Sequence, residues 1–73
     1  MATIGERLRH ARKTKKMTQV ELAQRIGVAH STIVRIERGQ AKPTIETVEK
    51  LAEALGVQAK WLAFGDEPRR TKE

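Results

Sequence analysis

The chain has 73 residues, no cysteine and a formal net charge of +6, with a sequence pI near 10.3. This length suits a single domain, and the lack of cysteine excludes disulfide staples and thiolate metal sites, so stability must come from packing. No apolar run approaches the roughly 18 residues of a membrane span, and no secretory signal is recognisable. We therefore expect a soluble, cytoplasmic protein.

The charge is unevenly distributed along the sequence. Residues 1–16 carry six basic side chains and one acidic side chain, whereas residues 44–67 carry five acidic side chains and two lysines. A basic N-terminal segment and an acidic C-terminal segment suit a protein that binds a polyanion with one face. Solvated helix faces on a small domain explain the same pattern equally well.

The N-terminal third predicts two helices. A T-x-x-E capping box at residues 3–6 precedes apolar residues at helical spacing, which indicates a first helix over residues 4–15. A second capping box at residues 18–21 begins a short second helix that Gly27 ends. Strand signals are missing, because the sequence has neither an alternating β-branched run nor an Asn-Gly turn.

A third helix is predicted over residues 30–38. Ile33 and Ile36 point inward, and Gly39 is the expected left-handed terminator. Ala29 stands where Ser, Thr, Asn or Asp would normally cap the helix, which forgoes about 1 kcal/mol.

The C-terminal half predicts two more helices. Thr44 can cap the fourth helix, which Gly56 ends. Its apolar face is expected to comprise Ile45, Val48, Leu51, Ala52 and Leu55. A last short helix over residues 58–63 would dock Trp61 and Leu62 on the core.

These elements predict an all-α, compact five-helix bundle over residues 1–65, followed by a disordered polar tail over residues 66–73. Two histidines on separate helices, without cysteine or a Gly-rich phosphate loop, leave no assembled nucleophile, base or metal site. We expect no enzyme activity, no cofactor, no metal, no small-molecule ligand and no membrane association.

The functional signal lies in residues 18–39. Two short helices that cross closely need a small residue at the crossing, and Ala23 provides it. The sharp bend that follows favours Gly27, and Val28 plugs the turn. Such a pair is a helix-turn-helix, whose second helix can enter the major groove of DNA, which is about 12 Å wide.

The sequence resembles the phage-repressor and Cro-like helix-turn-helix family, often called the Xre family, over about residues 4–64. The residues that carry the resemblance are Gln19, Leu22, Ala23, Gly27, Ser31–Ile33, Ile36–Gly39, Leu55–Val57, Trp61 and Leu62. The resemblance implies a lambda-repressor-like bundle with the helix-turn-helix at helices 2 and 3. It also implies a sequence-specific regulator of transcription, a repressor, whose helix over residues 30–38 enters the major groove of double-stranded DNA.

Four residues of the third helix are candidates for base contacts. The resemblance places His30 and Ser31 in the exposed first turn, where this family reaches base edges. Arg35 follows Ser31 by four residues and shares its face, and its guanidinium matches O6 and N7 of guanine. Val34 is suited to a thymine methyl. The alternatives are an idle surface histidine at position 30 and a solvated or phosphate-bound Arg35.

Backbone contacts are expected around the third helix. The candidates for phosphate contacts are Thr18, Gln19, Thr32, Arg38 and Lys42. Thr18 has the alternative role of a helix cap alone. The resemblance further implies that Arg12 and Glu37 form a structural salt bridge between the first and third helices.

A domain of this size offers little contact area, so a homodimer on a two-fold symmetric operator is expected. Phe64, the apolar residue with the least obvious place in the core, is the candidate for the dimer interface, and core packing is its alternative role. An antitoxin or scaffold-type interaction module of the same fold and a restriction-modification controller remain as alternative functions.

Overall fold

The computed structural model describes residues 3–65 of the chain. They form five α-helices joined by short turns, which confirms the all-α class predicted from the sequence. The helices are α1 (Ile4–Thr14), α2 (Gln19–Ile26), α3 (His30–Glu37), α4 (Ile45–Leu55) and α5 (Ala59–Phe64). The tail predicted for residues 66–73 lies outside the described residues.

Local capping sets where the first two helices begin. In the box at α1, the backbone N–H of Glu6 donates to the Thr3 hydroxyl at 3.2 Å, and the Thr3 N–H donates to the Glu6 carboxylate at 3.0 Å. The box at α2 repeats this arrangement between Thr18 and Glu21 at 3.0 and 2.8 Å. Each box satisfies N–H groups that the helix itself leaves without a partner.

Four helix limits differ by one residue from the sequence-based prediction. α1 ends at Thr14, and α3 ends at Glu37 with Arg38 as its C-cap. α5 begins at Ala59, with Gln58 as its N-cap, and ends at Phe64. These are terminal turns, where short-range signals are weakest. Gly39 still has the left-handed conformation expected after α3, with φ of 77°.

Every helix contributes one completely buried aliphatic side chain to a single core. These five side chains are Leu8, Leu22, Ile33, Leu51 and Leu62, each 0% exposed. Trp61 packs at the edge of the same core, as predicted. Because the helices share one core, α2 and α3 are held in a fixed relation to α1 and α4.

One predicted core residue is exposed. Ile45 has the correct angular position for the apolar face of α4, but 81% of its surface is accessible. It is the first residue of the helix, whereas Val48 and Leu51 further along are buried. Helical periodicity sets the direction of a side chain but not whether anything covers it.

Two contacts of α1 fasten it to the other helices. Arg7 donates from Nε to the carbonyl of Leu62 at 2.8 Å and from Nη2 to that of Ala63 at 2.7 Å. Gly5 lies against the end of α3 so closely that a Cβ there would stand 2.4 Å from the Ile36 carbonyl oxygen.

Within residues 3–65, no helix combines the length and apolarity needed to cross a bilayer.

Candidate nucleic-acid interface

The corner between α2 and α3 fixes the direction of α3. Gly27 adopts a left-handed φ of 78°, and the N–H groups of Gly27 and Val28 both donate to the Ala23 carbonyl, at 2.9 and 3.0 Å. Ala23 is buried where the helices cross, while Ile33 and Ile36 pin the inner face of α3 to the core. The opposite face of α3 is consequently left at the surface.

The outer face of α3 displays the four residues predicted to contact bases. His30, Ser31 and Arg35 are exposed, and Val34 is partly buried. Val34 follows His30 by one helical turn, and Arg35 follows Ser31 by the same distance. The four side chains therefore form one strip. Ala29 precedes them without a side-chain cap, as the sequence indicated.

Arg12 of α1 and Glu37 of α3 form an ion pair between the two helices. Arg12 donates to the Glu37 carboxylate from Nε at 2.7 Å and from Nη2 at 3.1 Å. Its Nη1 donates to the Met17 carbonyl at 2.8 Å. The two side chains are 10% and 5% exposed, so this bidentate pair is shielded from water.

Gln19 extends this network to the first residue of α3. Its Nε2 donates to Glu37 Oε1 at 3.0 Å, and its Oε1 lies 3.2 Å from His30 Nε2. Because a carboxylate only accepts hydrogen bonds, Glu37 fixes the orientation of the Gln19 amide. The network thereby assigns the hydrogen to His30 Nε2 and leaves Nδ1 as the remaining ring nitrogen.

This arrangement changes the role expected of the Gln19 side chain. The sequence suggested a donor to phosphate, but one amide N–H and the carbonyl oxygen are bonded within the protein. Similarly, the Thr18 hydroxyl accepts from Glu21 N, so it fills its capping role. The other phosphate candidates remain at the surface: Arg38 and Lys42 are exposed and Thr32 is partly buried.

A polar cleft of about 410 Å³ opens beside the network. Its lining residues are Arg9, Arg12, Gln19, Glu37 and Arg38. Sequence reasoning counted Arg9 only as part of a basic segment and gave it no individual role. Its position three residues before Arg12 is the one available signal, since that spacing places both on neighbouring parts of α1.

Phe64 and Lys42 lie at an apolar groove and not at the polar cleft. Phe64 is 73% exposed and lines an apolar groove of about 550 Å³ together with Ile45. Pro43 and Ile4 add to the apolar lining, and Lys42 lies at the same groove.

Within residues 3–65, no group of acidic, histidine or cysteine side chains is placed to hold a metal ion.

Comparisons with known proteins point to the same architecture. The HTH-type transcriptional regulator DicA of Escherichia coli strain K12 is 38% identical over 68 residues, which are 93% of this chain and 50% of DicA. The P22 c2 repressor, solved in complex with a synthetic operator, is 33% identical with a TM-score of 0.86, covering 90% of this chain and 100% of that chain. The restriction-modification controller protein C.AhdI from Aeromonas hydrophila is 36% identical with a TM-score of 0.77, covering 81% and 89%.

The shared part is a domain rather than every relative's full length. The chain spans about half the length of DicA. The model of the helix-turn-helix family matches residues 8–62, which is more than half of the chain and includes α2 and α3 entirely. The chain therefore belongs to the helix-turn-helix family HTH_3, of the Xre or Cro/C1 type.

Proposed function

We propose that this protein binds double-stranded DNA sequence-specifically with the outer face of α3 and represses transcription. The observation that carries the proposal is the strip of His30, Ser31, Val34 and Arg35, which lies at the surface of a helix whose other face is locked in the core. An exposed helix of this kind fits the major groove, where each base pair presents a distinct pattern. The P22 c2 repressor, of similar fold, was solved with an operator.

Within this strip, His30 and Arg35 supply the strongest groups for base contacts. Arg35 is exposed and can donate two parallel hydrogen bonds to O6 and N7 of guanine. His30 is held by Gln19 through Nε2, so its Nδ1 is available to a base edge. Ser31 adds a hydroxyl between them, and Val34 offers a methyl group to thymine.

Phosphate contacts would orient the helix without selecting a sequence. At the N-terminus of α2 the helix dipole favours an anion, and the proposed contacts there are the Thr18 hydroxyl and the backbone N–H of Gln19. Thr32 lies beside the strip, and Arg38 and Lys42 follow α3 as exposed cations. Of the five, Lys42 lies at the apolar groove rather than on α2 or α3, so its phosphate contact is proposed from its exposed charge alone.

We further propose that two copies bind one operator through the apolar groove at Ile45 and Phe64. These are the two most exposed large apolar side chains in residues 3–65, and they line the same groove. The Cα extents of the domain are 30 × 24 × 21 Å, so two copies fit side by side at the half-site separation of about 34 Å. Contact through this groove would remove both side chains from water.

Selection of bound sequences from a random duplex pool tests the proposal most directly. A half-site repeated with two-fold symmetry at about one helical turn is the expected result. Gel shifts with the selected duplex should weaken steeply as salt rises, with a log-log slope of about 0.9 per phosphate contacted. Failure to bind any duplex at low salt would refute the proposal.

Two alternatives share the fold. The apolar groove suits an interaction module, such as an antitoxin or scaffold, and such a protein would bind a partner without selecting a DNA sequence. Similarity to C.AhdI is the observation that favours a restriction-modification controller. No catalytic activity forms part of the proposal, since the named relatives are regulators of transcription.

A further inference from the structure

The polar cleft beside the Arg12–Glu37 pair has a neutral floor and a cationic rim. On the floor, the guanidinium of Arg12 and the carboxylate of Glu37 neutralise each other, and Gln19 donates to the same carboxylate. On the rim stand Arg9 of α1 and Arg38 at the end of α3, both exposed. The cleft therefore carries two positive charges that its own floor does not offset.

The rim arginines also have no competing partner in the part of the chain that the structure describes. Neither guanidinium makes an ion pair or a hydrogen bond with another of residues 3–65. Two like charges that line one cleft of about 410 Å³ repel each other until an anion lies between them. The chemistry of the rim thus favours a compact oxyanion with several acceptor oxygens.

We propose that this cleft binds one phosphodiester group of DNA, with Arg9 as a contact on the opposite side from Arg38. The inference rests on the proposed DNA-binding function and adds a site to it. The planar guanidinium presents paired donors that match two phosphate oxygens at once. Because three internal hydrogen bonds hold Arg12, Glu37 and Gln19 together, the floor stays neutral and only the exposed side chains of the rim have to adjust to the phosphate.

This site would determine how deeply α3 enters the groove. Arg9 belongs to α1 and Arg38 to the end of α3, so one phosphate held between them ties both helices to the same DNA strand. Such a contact carries no sequence information of its own. It should strengthen binding to every duplex equally, which distinguishes Arg9 from the residues on the outer face of α3.

Arg9→Gln is the test variant, and Lys50→Gln is its matched control. Lys50 is also exposed, loses the same charge, and lies on α4 at a separate surface next to Glu53. Dissociation constants for wild type and both variants are measured on a mixed-sequence duplex over a salt series. Thermal unfolding of each variant is followed by circular dichroism to show that the fold is retained.

For Arg9→Gln we expect about tenfold weaker binding at low salt and a log-log salt slope smaller by about 0.9, the value for one phosphate. Lys50→Gln should keep the wild-type slope. Arg9→Lys should keep the slope while losing part of the affinity, because it retains the charge and loses the paired donors.

Equal slopes for Arg9→Gln and Lys50→Gln, with wild-type binding intact, would overturn the phosphate site and leave the proposed function standing. Absence of duplex binding by the wild type at the lowest salt would overturn the proposed function and this site together.

Discussion

Glu37 is expected to be the most sensitive polar side chain of the domain. In Glu37→Ala, the carboxylate that accepts two hydrogen bonds from Arg12 and one from Gln19 is removed. Arg12, whose residue is only 8% exposed, would keep its charge and retain only the Met17 carbonyl among these partners. Breaking a buried pair in this way costs about 3–5 kcal/mol.

That cost is a large fraction of the stability of so small a domain. At about 0.05–0.15 kcal/mol per residue, the free energy of unfolding would be about 4–11 kcal/mol. For a domain of this size, each kcal/mol shifts Tm by about 4–8 °C. We therefore expect Glu37→Ala to lower Tm by about 12 °C or more, measured by circular dichroism. Glu53→Ala, which removes an exposed carboxylate, should change stability by less than about 0.5 kcal/mol.

A double-mutant cycle separates the ion pair from other effects of the substitution. Once Arg12→Ala removes the cation, deleting Glu37 no longer leaves a buried charge, so the double variant should lose less stability than the sum of the single variants. A Tm for Glu37→Ala within about 2 °C of wild type, or strict additivity in the cycle, would refute this reasoning.

Three further substitutions test other parts of the structure. Gly5→Ala should destabilise the domain by about 1–3 kcal/mol in urea unfolding, because the new Cβ would meet the Ile36 carbonyl oxygen at 2.4 Å; wild-type stability would contradict the close approach. Arg35→Ala should cost about 1–3 kcal/mol of binding free energy on the selected operator and weaken the preference for one base at one position. Lys42→Ala should weaken binding to all duplexes alike, and equal base preferences in both variants would count against the assignment. Phe64→Ala should shift the protein from dimer to monomer in sedimentation, and a dimer that persists would remove the groove from the interface.

The helices, and their ends to within one residue, followed from the sequence because they depend on neighbours only a few positions away. Both capping boxes join residues three apart, and Gly27 ends α2 through its own backbone conformation. The family was likewise recognisable from α2 and α3, since the small residue, the glycine bend and the apolar positions of a helix-turn-helix all lie within one short segment.

The fate of individual polar and apolar side chains depended on distant parts of the chain. Arg7 and Arg12 both belong to the basic N-terminal segment, yet Arg7 bonds the end of α5 across 55 positions and Arg12 bonds Glu37 across 25. Arg9, between them in sequence, remains at the surface. Charge counting treats these three arginines alike, because composition does not contain the partners that the fold brings near.

What the sequence by itself determined is the set of five helices, their apolar faces and the bend that presents α3, all of which arise from interactions within one or two helical turns. Only the tertiary structure decided that Gln19 holds His30 and that Ile45 stays uncovered. The physical reason is that a side chain's partners and its exposure depend on which helix ends are close in space. Local propensity contains no information about contacts between residues distant in sequence.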